Sequence, residues 1–202
     1  MKVLKFGGTS VANAQNILLV EKIVKKESSE NRVVVVVSAL SGVTDGLISA
    51  AESASAKNEN YSETIKSLEE KHLEFVKNLL PITEQSSWLS FVKKNFNDIE
   101  DICNGIYVLG EFTPRIKDKI TAYGEFLSSN IIAAKLKSDG LDCVWLDSRN
   151  YIKTNSNFTD AKVNFETTNA ALQTYFKENK QQITLAPGFI ASDVDGNITT
   201  LG

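Results

Sequence analysis

The chain is short of the residues that several common chemistries need. It has one histidine and two cysteines in 202 residues. A Ser-His-Asp triad would rest on a single imidazole, His72. That residue sits in the charged stretch EEKHLEF, which predicts a surface position. Cys103 and Cys143 fit no metal-ligand spacing and read as two reduced thiols of a cytoplasmic protein. No metal-ligating set is expected. Basic residues are not in excess: 22 Lys and Arg stand against 25 Asp and Glu, a net charge of −3. The electrostatic footprint of a nucleic-acid partner is missing. Long apolar runs are missing too. The longest, Val33 to Val37, falls far short of the roughly 20 residues of a membrane span. The opening MKVLKFGG has too few apolar residues for a signal peptide. Neither nucleic acid nor a membrane is an expected partner.

What is present is an ordinary globular composition, 42% hydrophobic and 23% charged, sized for one large domain or two small ones. VLKF reads as a short strand. A helix follows from Val11 to about Lys26, with Ile17, Val20 and Val24 at helical spacing and lysines at its C-terminal end. The five valines 33–37, β-branched and apolar on both faces, suit a central parallel strand. A second helix begins in SGVTDGLISAAESASA, with Ser41, Thr44 or Asp45 as candidate caps. After the polar break KNENYS, residues 61–104 read as a charged helical hairpin inserted between strands and interrupted at Pro81. A long helix runs from Pro114 to Lys137. A strand is expected at Cys143–Leu146, a helix at about Asp160–Lys177, a strand in ITLAPGFIAS and a hairpin turned at Asp195-Gly196. Strands alternating with helices predict a mostly parallel sheet covered on both faces.

KFGGTS stands where the first strand becomes a helix. In open α/β sheets ligands bind beyond the C-terminal ends of the strands. Gly7 and Gly8 let the chain turn sharply and let a ligand approach the backbone. Thr9 or Ser10 can cap the following helix, whose N-terminus suits a phosphate, and Lys5 adds a full positive charge. These parts can hold a polyphosphate and neutralise a moving phosphoryl group. A plain strand–helix turn with a surface lysine is the competing reading. Ser38, Ser41 and Thr44 bring small hydroxyls to a second strand end, where they suit a small polar substrate or helix capping. The glycine turn of APGFIAS comes to the same edge. In the long helix Gly124 costs ~1 kcal/mol relative to alanine. A glycine there lets something pack close, and Glu125 beside it either binds an ammonium group or is a solvated helix carboxylate.

MKVLKFGGTSVANAQ, VVVSALSGVTD, AYGEFLSS and GFIASDVDGNITTLG, in this order, resemble aspartate kinases of the amino acid kinase superfamily. The opening looks most like the aspartokinase half of bifunctional aspartokinase–homoserine dehydrogenases. The resemblance implies an α/β fold, a three-layer α/β/α sandwich around a mostly parallel sheet. It implies ATP, with Mg2+ held mainly by the nucleotide phosphates, phosphorylating the side-chain carboxylate of L-aspartate to 4-phospho-L-aspartate, a step toward lysine, threonine and methionine. Under it, Lys5 stabilises the transferring phosphoryl group. Gly7, Gly8, Thr9 and Ser10 line the phosphate channel, Ser38 and Thr44 contact aspartate, and Glu125 binds its α-ammonium group. The substrate's own carboxylate is the nucleophile and is already ionised at pH 7, so a strong general base is not needed. In the family TTLG runs on into an Arg-Gly-Gly-Ser-Asp-like motif, whereas the 202 residues end before it. They are therefore expected to be the N-terminal part of a cytoplasmic kinase domain, inactive by themselves and homo-oligomeric at full length. The rival readings are another member of the superfamily, such as glutamate 5-kinase, carbamate kinase or uridylate kinase, and a non-catalytic aspartate- or nucleotide-binding module.

Overall fold

The computed structural model describes residues 1–201. Gly202, where the last strand was expected to end, lies outside the described residues. Four short strands make one parallel sheet: β1 (Lys2–Phe6), β2 (Val33–Val37), β3 (Cys143–Trp145) and β4 (Ile183–Pro187), in the order β1-β2-β4-β3. Their register puts Leu4, Val35, Leu185 and Trp145 side by side on one face. The other face carries Lys5, Val36 and Ala186. The valine run behaves as its composition dictates, since Val33, Val35 and Val37 are all fully buried at the centre of the sheet.

The first face takes most of the helices. Between β1 and β2 lies α1 (Ala14–Ser28), which buries Ile17, Val20 and Val24 at helical spacing. After β2 come α2 (Val43–Ser55), α3 (Tyr61–Leu79), α4 (Ile82–Leu109) and α5 (Pro114–Ser138). The sheet, α1 and these four helices share one core. Burying each large side chain there is worth roughly 1.5–3 kcal/mol. The opposite face is covered only at its β3–β4 end. There α6 (Ser148–Tyr151) and α7 (Phe165–Glu178) bring Tyr151, Leu172, Tyr175 and Phe176 against Leu146 and Ala186. Arg32 holds the C-terminus of α7, donating to the carbonyls of Phe176, Asn179 and Gln181, where a cation suits the helix dipole. Over β1 the second face is open among the described residues, and Val3 is 68% exposed. The sandwich is three-layered at one end and two-layered at the other.

Several boundaries differ from the sequence reading. α1 begins at Ala14 rather than Val11, because Asn13 caps it and accepts from the Asn16 amide at 2.9 Å. Thr9 and Ser10 precede that cap and do not perform it. α2 has no side-chain cap at all. Its N-cap is Gly42 at φ 76°, so Ser41, Thr44 and Asp45 do not serve there. α4 continues past Asn104 to Leu109 and stops at Gly110, which takes the left-handed conformation at φ 74°. α7 starts at Phe165 rather than Asp160. The preceding residues are drawn into bridges, Thr154 to Val163 and Ala161 to Leu201. ITLAPGFIAS is two strands, not one. It breaks after Pro187, and β5 (Ile190–Ser192) pairs antiparallel with β6 (Ile198–Thr200) instead. The loop joining them is organised by Asp193, which accepts from the amides of Asp195 and Asn197 and from the side chains of Asn197 and Ser156. Burial works to raise the Asp193 pKa, and these hydrogen bonds outweigh it and hold the carboxyl below its ordinary range.

His72 is a correction. It is fully buried between α3 and α4, not on the surface. Helical periodicity explains this: Ile65, Leu68, His72, Phe75, Val76 and Leu79 form the buried stripe of α3. The charged neighbours in EEKHLEF belong to its other faces. The ring packs on Phe96 with centroids 5.2 Å apart, and Nδ1 donates to the Leu68 carbonyl at 2.7 Å, while Nε2 has no partner among the described residues. Burial pushes its pKa down to about 4. The unfolded chain therefore takes up a proton below about pH 6.5 that the folded chain refuses until about pH 4, so stability falls as pH drops through that window. Urea unfolding at pH 7.5 and pH 5 should show the native sequence losing about 2 kcal/mol more than His72→Leu. Equal losses would contradict the assignment.

Candidate functional site

A cavity of about 450 Å³ opens at the C-terminal ends of β1, β2 and β4. Lys5 and Phe6 come from β1, Val36, Val37 and Ser38 from β2 and its end, and Thr44 from the first turn of α2. Glu125 enters from the middle of α5, and Gly188, Phe189 and Leu201 complete the wall. Four residues singled out in the sequence, Lys5, Ser38, Thr44 and Glu125, thus share one cavity although they are spread over 120 positions.

Glycine is what makes the meeting possible. A β-carbon at Gly124 would stand 2.8 Å from the Ala39 β-carbon and 3.4 Å from Val43 Cγ1. α5 is seated directly on the β2–α2 turn, and only a residue without a side chain permits it. Ser128, one turn on, locks the seat by donating to the Ser38 carbonyl at 2.7 Å. Gly188 serves similarly against β2, where a β-carbon would meet Val36 Cγ1 at 3.2 Å. Its amide donates to the Val37 carbonyl at 2.8 Å. Phe189, next in the chain, sits at φ 63°, a left-handed conformation that a bulky residue rarely adopts. Leu201 N–H donates to the Phe189 carbonyl at 2.9 Å and ties these two wall residues together.

The electrostatics of the cavity are unequal. Glu125 is only 3% exposed, and its Oε2 has no hydrogen-bond partner among the described residues. Burial raises its pKa to about 7, against hydrogen bonds from the Ala39 backbone and the Ser38 side chain that lower it. A desolvated carboxylate with an unpartnered oxygen, on a residue that lines a cavity, suits a cationic group. Lys5 is exposed, on the face of β1 that no helix covers among the described residues. The cavity therefore offers an exposed cation and a desolvated carboxylate.

The glycine loop is placed differently. Gly7, Gly8, Thr9 and Ser10 are not among the residues lining this cavity. Thr9 and Ser10 line a separate groove of about 320 Å³ against α1, with Asn16, Leu19 and Ile23. Gly7 faces open space, and its carbonyl accepts from the amides of Ser10 and Val11, so the loop folds back on itself. Gly8 packs toward the Ala39 carbonyl. The N-terminus of α1 lies beyond residues 9–13, not directly after the glycines. Sequence reasoning missed Phe189 and Leu201 as wall residues. The glycine turn at APGF was the available signal, but the strand break that brings Phe189 to the cavity wall has no periodicity to betray it. Among the described residues no three His, Cys, Asp or Glu side chains come together to hold a metal. None of the described helices is long and apolar enough to cross a membrane.

Comparisons with known proteins converge. The amino acid kinase family model matches residues 1–202. The chain is 36% identical over 202 residues to bifunctional aspartokinase/homoserine dehydrogenase 1, chloroplastic, of Arabidopsis thaliana, covering 98% of this chain and 22% of that protein. It is 32% identical over 204 residues to the aspartokinase of Chlamydia pneumoniae, covering 99% of this chain and 41% of that one. Its fold matches E. coli aspartokinase III, solved in complex with aspartate and ADP, with a TM-score of 0.88 at 24% identity, over 100% of this chain and 43% of that chain. The chain thus spans about a fifth of the length of the bifunctional relative.

The seat of α5 is directly testable. Gly124→Ala gains ~1 kcal/mol of helix propensity but loses about 1–3 kcal/mol to overpacking against Ala39. Denaturant unfolding should show net destabilisation, and Ala39→Gly combined with Gly124→Ala, which moves the methyl across the contact, should recover most of it. A Gly124→Ala protein more stable than the native one would contradict the contact.

Proposed function

Since the chain belongs to the amino acid kinase family, we propose that it forms part of the catalytic domain of an aspartate kinase. This enzyme moves the γ-phosphoryl group of ATP to the side-chain carboxylate of L-aspartate. The observation that carries the reading is the sharing of one cavity by Lys5 and the desolvated Glu125, with Ser38 and Thr44 also on its wall. Aspartate is a small substrate with an ammonium group at one end and a nucleophilic carboxylate at the other. The relatives' names point to the same chemistry.

In this proposal the α-ammonium group of aspartate pairs with Glu125, and its arrival stabilises the ionised carboxylate that burial alone disfavours. The hydroxyls of Ser38 and Thr44 orient the substrate. One oxygen of the side-chain carboxylate attacks the γ-phosphorus, the bond from that phosphorus to the β–γ bridging oxygen breaks, and ADP leaves. Charge builds on the transferring group as it moves, and the Lys5 ammonium neutralises it. Gly7, Gly8 and Thr9 contribute room and backbone amides beside the phosphates, and Ser10, whose amide is held by the Gly7 carbonyl, contributes its hydroxyl; the openness at Gly7 supports this. Glu125, the carboxylate of the cavity, is committed to the substrate ammonium, so Mg2+ is assigned to the nucleotide phosphates and no step depends on it here. Cytoplasmic residence and a homo-oligomeric full-length enzyme complete the proposal. The two free, buried thiols Cys103 and Cys143 support a reducing compartment.

Two measurements on the full-length protein carrying this chain test the reading. With ATP, L-aspartate and hydroxylamine, aspartyl hydroxamate should form. Lys5→Ala should lower kcat by about 10²–10³-fold with little change in the KM for aspartate. No hydroxamate from the native protein, or full activity without Lys5, would sink the assignment. Because Glu125 must be ionised to hold the ammonium, the KM for aspartate should fall about tenfold from pH 6 to pH 8. Glu125→Gln should raise the KM and flatten that dependence. A pH dependence unchanged in Glu125→Gln would remove Glu125 from the site.

A further inference from the structure

Asp118 lies two turns before Glu125 on the same face of α5, about 10 Å away along the helix axis. It is fully buried, yet no lysine or arginine pairs with it among the described residues. Its partners are neutral donors from two distant segments. The Thr159 amide donates to both of its oxygens, at 3.1 and 3.0 Å. The Thr200 amide donates to Oδ2 at 3.0 Å, and the Thr200 hydroxyl donates to Oδ1. Both segments need holding. Thr159 sits at φ 71°, a conformation that a β-branched residue adopts only when its surroundings impose it. The Ala161 amide, two residues on, bonds the Thr200 carbonyl at 3.0 Å, so the loop and β6 are tied to each other as well as to Asp118.

What this clamp holds adjoins a wall of the cavity. Leu201 follows Thr200 directly, lines the cavity, and bonds the carbonyl of Phe189, which lines it too. α5 therefore carries both Glu125 and the carboxylate that fixes Thr200, the residue next to Leu201 of the same cavity's wall. We propose that Asp118 is a positioning residue of the site. Through Thr200 it sets the distance between Glu125 and the Phe189–Leu201 wall, and hence the fit of the small substrate between them. The inference rests on the reading of the cavity as the aspartate site.

The clamp needs acceptors at residue 118. Its carboxylate is met by two backbone amides and one hydroxyl. An asparagine keeps these bonds, because its oxygen can accept from both amides while its NH2 donates to the Thr200 hydroxyl, which accepts as readily as it donates. Asp118→Leu removes both acceptors with little change of volume, and Thr200→Val removes the hydroxyl donor while keeping the amide. The experiment uses full-length protein. Circular dichroism confirms folding, hydrogen exchange is read at residues 198–201, and steady-state kinetics are run with ATP and L-aspartate. The expected result is folded Asp118→Leu protein with exchange of the Thr200 amide accelerated at least tenfold, and a KM for aspartate raised about 10- to 100-fold. Thr200→Val should shift KM in the same direction by less, and the double variant should equal Asp118→Leu rather than multiply the two effects. A merely structural residue would lower kcat with the folded fraction and leave KM unchanged, and that result overturns the inference. If Asp118→Leu does not fold, Thr200→Val decides alone: a native KM overturns the proposal. Absence of turnover in the native protein would instead overturn the kinase reading. Native exchange rates at Thr200 in Asp118→Leu would overturn the clamp itself, independent of activity.

Discussion

The contact on which the site depends is the seating of α5 on the turn after β2. Gly124 has no side chain, so the helix axis comes close enough that a β-carbon there would stand 2.8 Å from that of Ala39. Ser128 then hydrogen-bonds the Ser38 carbonyl from the next turn of the helix. Two elements far apart in the chain are thereby packed and hydrogen-bonded together. A glycine in mid-helix costs backbone entropy. Here it places a carboxylate at the end of a parallel sheet, where the ends of β1, β2 and β4 leave a cavity.

The depth of that placement decides the electrostatics. Glu125 is buried enough that its ionised form is disfavoured when the site is empty, and its pKa is pushed to about 7. In the proposed reading a substrate carrying an ammonium group supplies the counter-charge. Such a site selects for charge complementarity strongly, because a neutral analogue would leave the carboxylate desolvated and unpaired. Lys5 differs in being exposed, on a strand face that no helix covers among the described residues. In the proposed reading the exposed cation meets the phosphoryl group in transit, and the buried carboxylate holds the substrate. The histidine-poor composition agrees with chemistry that needs positioning and charge neutralisation more than proton transfer.

The parallel sheet was legible because the valine run and the alternation of strands and helices are strong local signals. Lys5, Ser38, Thr44 and Glu125 were legible as candidates because three lie at or just beyond strand ends and one follows an anomalous glycine. Their convergence on one cavity is a property of packing, which periodicity does not encode. His72 was misread because the charge of its sequence neighbours was weighed above its place on the 3–4 stripe of α3. The start of α1 was misplaced because Thr9 and Ser10 are good caps in isolation, but Gly7 draws Ser10 and Val11 into a turn and leaves the capping to Asn13. Asp118 gave no signal at all. A carboxylate in a lysine-rich helix segment reads as solvated, and its donors come from residues 41 and 82 positions away.

The central claim is that Glu125 is a half-protonated carboxylate waiting for a cation. Calorimetry of L-aspartate binding near pH 7, repeated in buffers of different ionisation enthalpy, reads the protons exchanged on binding. The account predicts release of about half a proton per site at pH 7, falling toward zero by pH 9 and absent in Glu125→Gln. Binding with no proton release, or with the same release in Glu125→Gln, would contradict it.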